Sequence, residues 1–169
     1  MDRAALQVRD EIVGLLPRLR RFARTVAGNA DDADDLVQIA VERALKRLDQ
    51  YEPGTRLDCW LFSVLKNAWI DEVRARTRRG RVLAPAEAGE NVGEDARAGV
   101  EARLEMRAVE KAMQELPDEQ RLAIGLVCVE GLSYREAAAA LDVPIGTLTS
   151  RLARGREALE ARLRPGRTP

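Results

Sequence analysis

The chain has 169 residues with 28 basic and 28 acidic side chains, so no overall basic field indicates nucleic-acid binding. It contains no His and 2 Cys, too few of the usual groups for a zinc site, a disulfide scaffold or His-based acid–base catalysis. No apolar run approaches the roughly 18 residues of a membrane span, and the N-terminus has no hydrophobic signal core. We expect a soluble cytoplasmic protein that is not a hydrolase and has no metal or cofactor.

Charge is segregated along the chain. Residues 25–58 carry 8 acidic and 4 basic side chains, whereas residues 59–81 carry 2 acidic and 6 basic ones. The change recurs between residues 108–144, with 7 acidic and 3 basic, and residues 145–169, with 2 acidic and 6 basic. This pattern predicts a polyanion as partner of the basic surfaces and a basic protein as partner of the acidic ones, although solvated helix faces would give it too.

Helical periodicity predicts three helices in the first half. One runs from about Leu6 to Ala27, and the next runs from Asp31 to Leu48 with Asn29 or Asp31 as its cap. The apolar residues of the second helix recur at three- and four-residue steps and predict one buried stripe, formed by Ala33, Leu36, Val37, Ala40, Val41, Ala44, Leu45 and Leu48. A third helix follows the turn at residues 52–55 and runs from near Asp58 to about Arg79.

The third predicted helix combines aromatic and basic residues. Trp60, Phe62 and Trp69 precede a run of arginines, and one face of the helix aligns Asn67, Asp71, Arg74 and Arg78. Aromatic rings beside arginines suit single-stranded DNA, because unstacked bases bind flat surfaces and the backbone binds cations. Aromatic residues at helical spacing are also typical of a hydrophobic core, and both interpretations stay open.

The segment from Leu83 to Gly99 contains Pro85, three glycines and few large apolar residues. Its apolar groups cannot offset a backbone ordering cost of about 1–2 kcal/mol per residue. We therefore predict a flexible linker over residues 81–105 between two domains, 1–80 and 106–169, that fold separately. The absence of alternating strands makes the predicted fold all-α, with a small helical bundle in each domain.

The second half contains the most specific local pattern. Ser133 and Glu136 form the sequence of a capping box, a turn follows at residues 142–144, and the next helix places Leu148, Leu152, Leu159 and Leu163 on its buried side. This is a helix-turn-helix pattern, whose second helix enters the major groove of DNA. The opposite face carries Thr147, Ser150, Arg151 and Arg154, and Gly146 lets the backbone approach DNA closely. A helical hairpin with solvated arginines is the alternative.

These segments together resemble the extracytoplasmic-function sigma factors of bacteria, over nearly the whole chain. The resemblance rests on ADDLVQ at residues 33–38, WLFSVLKN at 60–67, LPDEQR at 116–121 and the helix-turn-helix at 131–159. It implies an RNA polymerase subunit with two helical domains. The first binds the β′ clamp helices and opens the −10 element, and the second reads the −35 duplex and contacts the β flap.

The resemblance also implies residue roles. The polymerase-binding motif matches Asp34, Asp35, Leu36 and Gln38, of which Asp35 and Gln38 point outward. The −10 face matches Asn67, Asp71, Arg74 and Arg78, with the loop at residues 51–57 placed to capture a flipped base. The −35 reader matches Arg135, Thr147, Ser150, Arg151 and Arg154. This chain departs from the family pattern at Ile39, usually acidic, at Thr149, often Lys, and at Gly155, usually Ala.

The function predicted from the sequence is promoter recognition, with core RNA polymerase and promoter DNA as partners and an anti-sigma protein as regulator. No nucleophile–base pair or metal cluster in the sequence indicates an enzyme. Two alternatives remain. A sigma-like decoy would bind an anti-sigma protein without promoter activity, and a plain helix-turn-helix repressor would leave the ADDLVQ helix and the aromatic-basic helix unexplained.

Overall fold

The computed structural model describes residues 3–80 and 98–164, which form seven α-helices and contain no strand. Helices α1 (Arg3–Ala27), α2 (Ala30–Lys46) and α3 (Leu57–Arg78) form the N-terminal module. Helices α4 (Ala98–Gln114), α5 (Asp118–Ile124), α6 (Tyr134–Leu141) and α7 (Ile145–Leu163) form the C-terminal module. A 3-10 turn, Leu48–Gln50, follows α2, and a π-helical turn, Gly125–Val129, extends α5. The predicted all-α fold is confirmed.

The core of the N-terminal module forms where one face of each helix meets the other two. The rings of Phe22 and Phe62 pack edge to face, with centroids 5.2 Å apart, and both residues are fully buried. The predicted stripe of α2 is buried at Ala33, Leu36, Val37, Ala40 and Ala44. Leu45 is 39% exposed, so its assignment to the stripe was wrong. It lies at the edge of the stripe, in the last turn of α2.

Two residues separate α1 from α2. Gly28 adopts a positive φ of 84°, a conformation that side chains disfavour, so a glycine can end α1 and turn the chain at once. Asn29 then caps α2, because its side-chain oxygen accepts a hydrogen bond of 2.8 Å from the Asp32 amide. Of the two predicted caps, the structure selects Asn29.

The helix-turn-helix forms as predicted. The Ser133 side chain accepts from the Glu136 amide, and the Glu136 carboxylate accepts from the Ser133 amide at 2.8 Å, which completes the capping box. Asp142 ends α6 in the left-handed conformation. Leu148 and Leu152 of α7 are buried, whereas Leu163 is 37% exposed, so its predicted burial was wrong because it lies in the last turn of the helix.

Helix α4 begins at Ala98, inside the segment that we predicted to be linker up to residue 105. Ala, Glu, Arg and Leu dominate residues 98–105, and their helix propensities are high, so the helix extends upstream of the residues that pack. Among the described side chains of α4, those of Ala112 and Met113 near its C-terminal end are buried. The rest of the predicted linker, residues 81–97, lies outside the described residues.

In this structure the two modules pack against each other, with α1 against α4 and α5, and α3 against α6. The junction is centred on the Glu130 carboxylate, whose side chain is 0% exposed. It accepts hydrogen bonds from Arg18 Nε at 3.1 Å and from Arg21 Nε at 2.8 Å and Nη2 at 2.9 Å. Arg56 reaches Glu136 across the same junction. None of the helices in the described ranges is both long and apolar enough to cross a membrane.

Candidate nucleic-acid interface

Helix α2 presents an acidic face to solvent. Asp34, Asp35 and Gln38 are exposed, and Gln38 donates a hydrogen bond of 3.1 Å to Glu42 on the next turn. Arg20 of α1, which no sequence motif singled out, lies 3.7 Å from Asp34. Leu36 is 3% exposed and faces the core, as the predicted stripe expected, so it supports the face from beneath. Its place in the polymerase-binding motif stays a prediction.

Helix α3 carries the predicted −10 face on one exposed side. Asn67, Asp71, Arg74 and Arg78 are all exposed. An open surface pocket of about 580 Å³ lies along this side, lined by Asp71, Val73, Arg74, Thr77 and Arg78. The pocket therefore lies beside two arginines and one carboxylate of the predicted face.

The carboxylate of Asp71 is held by a neighbouring helix. Arg43 of α2 donates a hydrogen bond of 2.7 Å from Nη1 to Asp71 Oδ2. No sequence motif assigned Arg43 a role at this face. Because 28 positions separate Arg43 from Asp71, periodicity within one helix could not reveal this pair.

Not every arginine of α3 is available to DNA. Arg76 donates to Asp32 at 3.0 Å and to Glu72 at 2.8 Å, which joins α3 to the start of α2. The hydrogen bond from Arg76 is the main cause that lowers the pKa of Asp32, and burial of the carboxyl opposes it. Arg76 is therefore structural, which explains why the exposed face contains Arg74 and Arg78 instead.

The aromatic residues of α3 divide between core and surface. Phe62 is 0% and Trp69 is 3% exposed, so neither can stack on an unpaired base in this conformation. The Arg121 guanidinium lies 5.9 Å from the centre of the Trp69 ring. Trp60 is half-buried, and its ring packs at 5.5 Å against Tyr51. The single-strand interpretation therefore depends on Trp60 and Tyr51, and the core interpretation accounts for Phe62 and Trp69.

The loop at residues 51–57 is ordered by its own side chains. The Tyr51 hydroxyl donates to the Thr55 carbonyl at 2.7 Å, and the Thr55 hydroxyl donates to the Glu52 carbonyl at 2.7 Å. At the end of the loop Arg56 Nη2 lies 2.6 Å from Asp58 Oδ2. These contacts give the loop a defined shape at the N-terminal end of α3.

Helix α7 presents the predicted −35 reader at its surface. Exposed or partly exposed positions on α6 and α7 are Arg135, Gly146, Thr147, Ser150, Arg151 and Arg154. The hydroxyl of Ser150 donates to the Thr147 carbonyl at 3.0 Å, and Arg154 Nε donates to the Ser150 carbonyl at 3.3 Å. Arg151 reaches another helix, with Nη2 at 2.6 Å from Glu119 Oε2 of α5. Sequence reasoning missed Glu119.

Two family models match this chain. Residues 12–79 match the family model of sigma-70 region 2, and residues 106–159 match that of sigma-70 region 4. These matches cover α2 and α3 with the acidic and −10 faces, and α5 to α7 with the helix-turn-helix.

Curated relatives and solved structures cover nearly the whole chain. The ECF RNA polymerase sigma factor EcfG of Rhodopseudomonas palustris is 39% identical over 92% of this chain and 84% of its own length. SigW of Bacillus subtilis is 30% identical over 87% of this chain and 83% of its own.

Two of the similar solved structures are complexes with other proteins. One is sigma factor RpoE with the anti-sigma factor NepR from Bartonella quintana, with a TM-score of 0.79, 32% identity and coverage of 94% of this chain and 98% of that one. The other is CnrH with the cytosolic domain of CnrY, with a TM-score of 0.66, 27% identity and coverage of 91% and 85%. With both regions matched in order and relatives alike over most of their length, the chain belongs to the extracytoplasmic-function sigma factors of the sigma-70 family.

Proposed function

We propose that this alternative sigma factor uses three separate surfaces during initiation. The acidic face of α2, formed by Asp34, Asp35 and Gln38, binds the β′ clamp helices of core RNA polymerase. The face of α3, formed by Asn67, Asp71, Arg74 and Arg78, holds the separated −10 strand. The face of α6 and α7, formed by Arg135, Gly146, Thr147, Ser150, Arg151 and Arg154, reads the −35 duplex, and the C-terminal module contacts the β flap.

One observation carries this assignment. The acidic face of α2 and the arginine-bearing faces of α3 and of α6–α7 occupy different helices and are exposed or partly exposed, while the apolar residues of these helices are buried in the core. A clamp of basic side chains and two stretches of polyanion would therefore meet complementary charges on the outer faces of these helices. A plain repressor needs only the α7 face and gives no role to the acidic face of α2.

DNA opening in this proposal is driven by binding. Separating strands breaks stacking and pairing, and capture of unstacked bases offsets part of that cost at about 1–3 kcal/mol per stacked base. The pocket beside Asp71 and Arg74, with the Tyr51–Trp60 pair at the start of α3, would supply the surfaces that hold the separated strand. The family consists of regulatory DNA-binding proteins, and we propose that this chain has no catalytic residues and acts in the cytoplasm.

We also propose that the two domains are residues 1–80 and 106–169, joined through residues 81–105, and that an anti-sigma protein regulates the chain. The similar structures of RpoE and CnrH, bound to NepR and to the cytosolic domain of CnrY, support such a regulator. It would compete for the faces that bind polymerase and DNA.

A paired titration tests the assignment. Asp35→Arg places a positive charge against the proposed basic clamp, where like charges cost several kcal/mol, so polymerase binding should be lost. Arg151→Ala should weaken binding to promoter DNA at the −35 element by about 1–3 kcal/mol and leave polymerase binding intact. Both are measured against core polymerase and labelled promoter fragments, with Asp49→Arg as a control on the exposed turn after α2.

The alternatives give different results in the same titration. A repressor would have no polymerase binding to lose, and a decoy would show no DNA-linked defect with Arg151→Ala. If Asp35→Arg binds polymerase as the parent does and still supports run-off transcription, the α2 assignment is wrong.

A further inference from the structure

A carboxylate from α5 contacts the proposed −35 reader. Glu119 Oε2 lies 2.6 Å from Arg151 Nη2, and the Arg151 side chain is only 22% exposed whereas Glu119 is 59% exposed. Arg151 is thus partly enclosed between α5 and α7, and its acidic partner lies at the solvent edge. The other reader arginine of α7 differs, because Arg154 Nε donates to a carbonyl of its own helix.

Close packing of the two helices makes this contact possible. Gly155 is buried in α7, and a Cβ added there would lie 2.7 Å from Ile124 Cδ1 and 3.3 Å from Gln120 Cβ of α5. The missing side chain lets α5 approach α7 at the turn that follows Arg151. Glu119, the neighbour of Gln120, then reaches the reader helix. Gly155, where the family pattern usually has Ala, therefore lies at the point where α5 and α7 pack closely.

The pair is more suited to positioning than to stability. Exposed ion pairs contribute little to folding, and Glu119 is mostly exposed. A guanidinium has five N–H donors, so contact at Nη2 leaves other donors of Arg151 available to a base edge or a phosphate. The Glu119 carboxylate also repels the phosphates of DNA. The positive charge of Arg151 offsets this repulsion best when Arg151 contacts both Glu119 and the DNA.

We propose that Glu119 is a positioning and specificity-determining residue that fixes the Arg151 guanidinium for the −35 element and disfavours DNA in which Arg151 finds no partner. This inference rests on the proposed function, because it requires Arg151 to contact the −35 duplex. It adds that part of the specificity comes from an acidic residue outside the helix-turn-helix.

The test compares specificity profiles. The full chain is bound to core polymerase, a promoter is selected from genomic fragments with that holoenzyme, and each −35 base pair is then substituted singly. Affinities are measured for the parent, for Glu119→Gln and for Arg151→Ala. Glu160→Gln is the matched control, since it removes one exposed carboxylate of α7 that pairs with Arg164.

We expect Glu119→Gln to reduce discrimination by at least about fivefold at the base pairs where Arg151→Ala also reduces it, and not at others. Binding to unrelated DNA should become tighter, because a negative charge has been removed. In the Arg151→Ala background the same Glu119→Gln change should leave the profile unaltered, whereas in an Arg154→Ala background it should keep its effect.

Other outcomes separate the two claims. If Glu119→Gln matches Glu160→Gln, or weakens all fragments equally, the positioning role is overturned while the Arg151 contact stands. If Arg151→Ala leaves every −35 affinity unchanged, or the holoenzyme selects no promoter, the proposed function fails and the inference fails with it. Thermal unfolding of each variant distinguishes a loss of fold from a change in specificity.

Discussion

At the scale of single residues, Asp58 is a carboxylate that two arginines hold at the start of α3. Burial raises its pKa, but hydrogen bonds from Arg56 and Arg18 outweigh burial and bring the pKa to about 2, below the ordinary 3.8. The charged form is therefore favoured by folding, and its contribution to stability is present above pH 3.8 and is lost as the pH falls toward about 2.

We expect Asp58→Asn to be less stable than the parent at pH 6, and the difference to shrink as the pH falls from about 4 to about 2. Thermal unfolding midpoints across this range measure it. Asp49→Asn, on the exposed turn after α2, is the control and should follow the parent. A difference that stays constant down to pH 2 would contradict the role given to the Asp58 charge.

Alanine substitution of two glycines in the N-terminal module should change the stability in opposite directions. A Cβ at Gly28 would lie 2.5 Å from the Gln114 side chain, and the backbone there has a φ of 84°. Gly28→Ala should therefore destabilise the protein by about 1–2 kcal/mol from the backbone alone. Gly14 lies inside α1 with open space around it, so Gly14→Ala should stabilise by about 0.5–1 kcal/mol. Urea unfolding compares them, and equal effects would contradict this account.

At the scale of helices, short sequence patterns predicted the helix ends that are capped by residues close in sequence. The Asn29 cap and the Ser133–Glu136 capping box depend on residues three apart, so short sequence patterns identified the capping box and limited the α2 cap to two residues. Contacts between distant segments gave no such signal: Arg43 with Asp71, and Glu119 with Arg151. Helical periodicity separates core from surface, so it predicted which side of each helix is exposed and that Leu36 of the matched motif is buried. The binding roles of the exposed residues stay predictions.

The capping box gives a prediction for α6. Ser133→Ala removes the acceptor of the Glu136 amide and should cost about 0.5–2 kcal/mol, while Ser133→Asp keeps an acceptor and should restore most of it. Chemical denaturation monitored by circular dichroism measures both. Equal stability of the alanine and aspartate variants would show that the cap contributes nothing here.

At the scale of the whole molecule, the packed modules cannot contact both promoter elements at once. The −35 and −10 elements are about 25 base pairs apart, or roughly 85 Å of duplex. A compact body the size of the described residues, 3–80 and 98–164, has a radius of gyration of about 15 Å, and so spans about 40 Å. We therefore expect the junction at Glu130 to open when the sigma factor binds polymerase and promoter.

Replacing Glu130 tests this expectation. Glu130→Ala leaves Arg18 and Arg21 without the carboxylate that joins them to the C-terminal module, so the free protein should become more extended. Small-angle scattering should show a larger radius of gyration, and Glu157→Gln, at an exposed position of α7, should not change it. An unchanged radius in Glu130→Ala would show that the remaining contacts, among them the Arg56–Glu136 pair and the hydrogen bond from Arg18 to the Glu130 carbonyl, hold the modules together without this carboxylate.

The burial of Glu130 also determines how the protein responds to ionic strength. Dissolved ions screen exposed charges, and salt weakens DNA binding steeply because cations compete with the protein for the phosphates. The Glu130 side chain is 0% exposed and the Arg18 side chain is 29% exposed, so dissolved ions screen this pair less than an ion pair between two exposed side chains. A rise in salt should therefore weaken the promoter-bound form more than the free form in which the modules are packed, so the promoter is released while the packed form persists.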